Sequence, residues 1–175
     1  GPALWYANRG IGAVLLVLYT LTVALRIAAT AAGPGGRWFP RFLTQGLHRN
    51  LSLLSTLLLV VHLGTAVLDD YVDISWQDAL VPFIGSYRPI YLGLGAVSLD
   101  LLLAVALTSL VRRRLPDRGW RLVHLLAYPS WGAAVVHTTG IGTDMNDAAF
   151  RWLVAGCVGV VVLAATWRAV ARLVP

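Results

Sequence analysis

Apolar positions along this chain run in five long blocks, without the strict alternation of a half-buried strand or the narrow stripe of a surface helix. The blocks fall at about 9–31, 43–68, 88–111, 119–140 and 148–172, each near the ~20 residues a helix needs to cross a bilayer. Turn-forming or charged segments separate them, among them Ala32-Gly33-Pro34-Gly35-Gly36 and Pro116-Asp117-Arg118-Gly119. Pro129 sits inside the fourth block and predicts a kink there. The longest connection, about 69–87, mixes aspartates with Trp76, Pro82, Phe83 and Tyr87, as expected of a segment resting at a membrane interface. The predicted fold is an all-α membrane protein, a bundle of about five transmembrane helices in a single domain over 3–175. Gly1-Pro2 reads as a protease-cleavage scar, and the first block, although it has signal-peptide features, reads as a true span.

Composition agrees with that pattern. The chain has 175 residues, 58% of them hydrophobic and 13% charged, against roughly a quarter charged in soluble domains. All 14 cations are arginine and all 8 acids are aspartate. Eleven of the arginines flank the first and third connections or follow the fifth block, whereas Asp69, Asp70, Asp73, Asp78, Asp144 and Asp147 lie on the other side. The positive-inside rule therefore predicts an N-terminus outside and a cytoplasmic C-terminus. The net charge of +6 is a topology signal and implies no nucleic-acid partner. The single cysteine, Cys157, excludes an internal disulfide and any multi-cysteine cluster, and reads as packing in the fifth span.

The candidate chemistry lies in four histidines. His48 and His62 are in the second block, His124 and His137 in the fourth, and both blocks run from inside to outside. The steps of fourteen and thirteen residues correspond to about 21 Å and 20 Å of helix. Set against a hydrocarbon core of ~30 Å, this gives one histidine pair near each face. Two facing neutral imidazoles are what a six-coordinate b-type haem requires, because the porphyrin fills four positions. Two stacked pairs would form an electron path across the membrane. Competing readings are four structural histidines bonded between helices, or paired copper or zinc sites. On an ideal helix His62 lies within about 40° of His48, but His137 lies about 140° from His124, so the fourth span must depart from ideal geometry, with Pro129 as the place.

With its surroundings, the constellation resembles the ferric reductase-like transmembrane domain family, the di-haem core shared with NADPH oxidases and short bacterial membrane members. The resemblance is carried by His48-x13-His62 and His124-x12-His137. Around them stand Leu47-His48-Arg49-Asn50, Tyr87-Arg88-Pro89, Leu107-Thr108-Ser109, Trp120-Arg121-x-x-His124 and His137-Thr138-Thr139-Gly140-Ile141-Gly142-Thr143-Asp144. It runs from about Arg9 past His137 and implies two haem b, His48 with His124 on the inner iron and His62 with His137 on the outer. The family's flavin and NADPH domain has no counterpart before the chain stops at Pro175, and Gly93-x-Gly95-x-x-Ser98 lacks the third glycine of a dinucleotide loop. The expected donor is therefore a separate cytoplasmic flavoprotein reductase or membrane quinol. The expected acceptor is ferric iron, an oxygen species, quinone or an extracytoplasmic redox partner. Ala66 stands where oxidases tend to carry a further histidine, while Arg9 resembles an arginine near their outer haem.

Haem propionates need cations, and arginine binds carboxylates bidentately. Arg121, on nearly the same face as His124, is the candidate for the inner haem, with Arg41 and Arg49 behind it. Arg88 and Arg9 are the candidates for the outer one. Trp131, seven residues after His124 and opposite Ser55, is expected between the haems. Asp100, alone at mid-membrane, reads as a proton-path or hydrogen-bonded residue. Lysine-free, arginine- and alanine-rich usage points to a GC-rich bacterium and hence to a multi-pass protein of the bacterial inner membrane. Two rival functions remain: a histidine-based metal transporter, and a non-catalytic assembly subunit.

Overall fold

The computed structural model describes residues 2–31 and 41–173. Seven helices follow in order: α1 Pro2–Ala31, α2 Arg41–Leu68, α3 Trp76–Leu80, α4 Pro89–Leu110, α5 Asp117–His124, α6 Ala127–Gly140 and α7 Ala148–Leu173. The described residues contain no strand. The break expected at Ala32–Gly36 lies outside the described residues. Among the described residues four single helices are long and apolar enough to cross a bilayer: Ala3–Thr30, Thr44–Leu68, Pro89–Leu110 and Ala148–Leu173. The chain is thus an all-α membrane bundle. Helix α1 begins well before its apolar block and carries Trp5, Asn8 and Arg9 as part of the helix.

The expected fourth span is corrected: 119–140 is two helices, α5 and α6, hinged at Leu125-Leu126. The cause is Pro129, although the hinge stands one turn before it. Proline has no N–H to donate to the Leu125 carbonyl, and its ring would strike that oxygen in a regular helix. The carbonyl is taken instead by the Tyr128 N–H at 3.1 Å, and Leu126 N–H reaches Val123 at 2.9 Å, both over three residues rather than four. This is 3₁₀ winding, which turns about 20° further per residue than the α-helix. Over three or four residues it recovers roughly half of the ~140° by which an ideal helix would part His137 from His124.

Helix α1 is the spine of the bundle, packing on α2, α6 and α7, while α4 packs on α3, α5 and α6. Leu16 meets Val154 and Cys157 between α1 and α7, so the cysteine packs as expected. Helices α4 and α6 are joined by two buried serines. Ser98 Oγ donates to the Ser130 carbonyl at 2.9 Å, and Ser130 Oγ returns a bond to the Ser98 carbonyl at 2.8 Å. Small hydroxyl residues let membrane helices approach closely and tie them by hydrogen bonds. Large apolar side chains point outward instead, with Leu57 62% and Leu163 71% exposed. That inside-out distribution suits hydrocarbon solvent. Helix α2 has no extended packing against α4, α5 or α6, and a long gap stays open between them.

At one end, the 69–87 connection folds over this gap. Ser75 and Asp78 form a capping box that starts α3, with Asp78 accepting from the Ser75 N–H at 2.9 Å. That bond and the Ser75 hydroxyl hold the Asp78 carboxyl below its ordinary range. Its cap is therefore complete at neutral pH and is lost as pH falls through that lowered value.

Replacing Pro129 with alanine restores a donor for the Leu125 carbonyl. Exchange of the amides at 125–128 should slow on the order of tenfold, equivalent to ~1.4 kcal/mol of local opening. Unchanged exchange in Pro129→Ala would show that the hinge has another cause.

Candidate functional site

The gap beside α2 is one cavity of about 960 Å³, at the upper end of the roughly 300–1,000 Å³ usual for ligand sites. All four histidines line it. Its aspartate-rich end holds His62 and His137 beside Trp5, Arg9, Tyr87 and Asp144, and its arginine-rich end holds His48 and His124 beside Arg26, Arg49 and Arg121.

At the aspartate-rich end each imidazole is oriented by a backbone carbonyl. His62 Nδ1–H donates to the Asn8 carbonyl at 3.2 Å, and His137 Nδ1–H donates to the Tyr91 carbonyl at 2.8 Å. Because a carbonyl only accepts, these bonds fix the proton on Nδ1 and leave the Nε2 lone pair available, the form in which histidine ligates a metal. Asn8 closes a reciprocal clamp, its amide donating to the His62 carbonyl at 2.6 Å and to Thr65 Oγ1 at 2.8 Å. Two glycines make room for the rings. A Cβ at Gly95 would meet His137 Nδ1 at 2.5 Å, and one at Gly12 would meet His62 Cε1 at 3.1 Å.

At the arginine-rich end His48 and His124 face each other with ring centroids 6.2 Å apart, tilted by 57°. Two metal–nitrogen bonds of about 2 Å, with half a ring at either end, span about 6 Å. The Thr22 backbone approaches His48, yet Nδ1 of both rings is buried without a hydrogen bond that meets normal geometry. A buried polar atom left in that state marks a missing partner or a functional constraint. The described residues gather no group of three or more metal-ligating side chains. Each pair thus offers two donors, which suits an iron whose other four positions belong to a macrocycle better than a metal caged by protein alone. The residues present fit haem.

The remaining candidates divide. Arg121 and Arg49 line the cavity as expected, Arg121 donating through Nε to the Asp117 carbonyl at 3.2 Å. Arg9 reaches the opposite mouth, but its guanidinium fork is engaged by Asp144, with Nε 2.7 Å from Oδ2 and Nη2 on Oδ1. Arg88 lies apart from the cavity. It caps α4 in a left-handed conformation (φ 40°) and donates to the Gly140 and Gly142 carbonyls, so it pins the loop after α6. Trp131 turns to α1, its indole N–H donating to Thr20 Oγ1 at 3.0 Å, and does not stand between the histidine pairs. Tyr19, Ser55 and Tyr128 line the middle stretch in its place. The Arg41 side chain lies outside the described residues. Asp100 is exposed on α4, away from the cavity.

Sequence reasoning did not assign to the site Arg26, Asn8 and Gly12, nor Trp120 and Gly95, which it met only within motifs; all five line the cavity. A signal was available for some of these. Asn8 and Thr22 on α1 are fourteen residues apart, like His62 and His48 on antiparallel α2, so one repeat sets both contacts.

A family model described as ferric reductase like transmembrane component matches residues 9–135. No curated protein and no solved structure matches the chain.

Gly95→Ala must push the His137 ring off its carbonyl, whereas Gly12→Ala asks only a small shift of His62. If His137 ligates a haem, haem per chain should fall by about half in Gly95→Ala and stay near wild type in Gly12→Ala. Equal retention in the two variants would contradict the placement of His137 as a ligand.

Proposed function

The chain belongs to the ferric reductase-like transmembrane family, and so is a membrane oxidoreductase component that transfers electrons; from that premise we propose that it is a b-type cytochrome with two haems stacked across the bilayer. Electrons enter from a separate cytoplasmic flavoprotein reductase or from membrane quinol. They leave to an extracytoplasmic acceptor, either ferric iron, an oxygen species, quinone or a redox protein. The observation that carries this reading is that all four histidines line one cavity, with His48 and His124 facing each other across it.

His48 and His124 would hold the inner haem, His62 and His137 the outer. Bound there, the haems supply one-electron chemistry at the potentials that ligation and surroundings impose. The chain's part is to position and insulate. The Asn8 and Tyr91 carbonyls strengthen the outer imidazoles as donors by drawing on their Nδ1 protons. Arg26, Arg49 and Arg121 offer cations for propionates at the inner end. Outward-facing leucines and valines keep the path in a low dielectric. The arginine excess at the inner-pair end favours that end as cytoplasmic, in the bacterial inner membrane. A histidine-based metal transporter is the weaker reading, because pairs that offer only two donors each make poor cages for a metal held by protein alone.

Vesicles carrying the purified protein, with a membrane-impermeant reductant trapped inside and ferricyanide outside, test the path. Wild type should bleach the ferricyanide, and His62→Ala and His124→Ala should each fall to the rate of protein-free vesicles. Wild type no faster than protein-free vesicles would overturn the reading.

A further inference from the structure

The four imidazoles are not all held by the same means. The outer rings are fixed through Nδ1 by backbone carbonyls and His48 is approached by the Thr22 backbone, whereas His124 Nδ1 is buried without a hydrogen bond. What holds His124 is aromatic. Trp120, one helical turn earlier on α5, stacks on the His124 ring with centroids 4.7 Å apart and planes 27° from parallel. Arg112 also lies over the indole, its guanidinium carbon 4.5 Å from the ring centroid. Arg112 is held in turn by Asp117 on the first turn of α5, with Nη2 2.6 Å from Oδ1. A cation over an aromatic face and an offset ring pair are each favourable, and together they brace one plane.

The same indole carries an unused donor. Trp120 lines the cavity, and its Nε1–H is buried without a hydrogen-bond partner. An indole N–H can only donate, so whatever answers it must be an acceptor. Leaving it unmet is costly where no water reaches it. Arg26, Arg49 and Arg121 line the same end of the cavity, a setting that selects an anionic oxygen over a neutral one.

We propose that Trp120 positions the inner ligand, its indole plane fixing the plane of the His124 ring while its N–H donates to a carboxylate arm of the group held between His48 and His124. The inference rests on the two-haem reading and adds to it a residue that touches both ligand and cofactor. It also separates the two haems by character. The outer pair is tuned by hydrogen bonds to its imidazoles, and the inner pair by an aromatic stack and by donors to the periphery of the cofactor.

The test compares wild type, Trp120→Phe and Trp120→Leu, purified with haem bound. Phenylalanine keeps a stacking ring and loses the N–H; leucine loses both. In Trp120→Phe one of the two reduction steps should move to lower potential and the other stay in place, with two haems retained. In Trp120→Leu the electron paramagnetic resonance signal of one oxidised haem should shift as well, because the His124 plane is released. An ultraviolet resonance Raman difference between wild type and Trp120→Phe should show the indole N–H hydrogen-bonded in the haem-loaded protein. Two haems with both reduction steps unmoved in Trp120→Phe, and a free N–H in wild type, would overturn the inference and leave the two-haem reading standing. Wild type without haem would overturn both. If the leucine variant fails to fold, the phenylalanine variant decides alone.

Discussion

An imidazole placed in hydrocarbon needs partners for its ring nitrogens, and the architecture of this chain follows from where it supplies them and where it leaves space. Unsatisfied polar groups are costly where no water reaches them. At one end of the cavity the protein answers Nδ1 itself, through the carbonyls of Asn8 and Tyr91. That leaves Nε2 of His62 and His137 available, and all four histidines line the cavity. A bundle built only to pack would close helix on helix across that space, whereas here α2 leans on α1 and stands clear of α4, α5 and α6.

The rest of the structure serves this spacing. Helix α1 runs antiparallel to α2 and meets it at two heights, so a single helix supplies the Asn8 carbonyl at one end and Arg26 at the other. The Pro129 hinge overwinds the chain between α5 and α6 and brings His124 and His137 toward a common side despite an unfavourable thirteen-residue step. Gly95 permits the His137 ring to lie against α4, where any Cβ would displace it. At the far mouth Arg9 and Asp144 neutralise each other across α1 and the loop after α6. The Arg9 guanidinium at the outer mouth is thus already paired within the protein.

Much of this was legible in the residues alone. Block lengths and apolarity fix the helices and their membrane setting, and the positions of the four histidines fix their pairing by height. The poor angular match of His137 to His124 was itself informative, since it demanded a distortion that the structure supplies. Its location was less accessible. A proline marks where a donor is missing, but the chain yields one turn earlier, at the carbonyl that loses its partner. Side-chain destinations were harder still. Trp131 and Arg88 had the right height for the site, yet Thr20 and the Gly140 carbonyl claim them. Height along a helix follows from counting, whereas direction depends on neighbours that sequence spacing does not specify. Trp120 stood in a motif beside His124, but its role comes from what it stacks on and from a donor left unmet, both of which are properties of packing.

The central claim is that both histidine pairs hold iron through both imidazoles. The most direct measurement is the haem content per chain of the detergent-purified protein, with absorption spectra of the oxidised and dithionite-reduced forms. Two bound haems per chain with sharp low-spin reduced bands are expected. One haem per chain would mean that one of the facing pairs is structural. None, in cells supplied with haem, would contradict the reading of this cavity as an electron path.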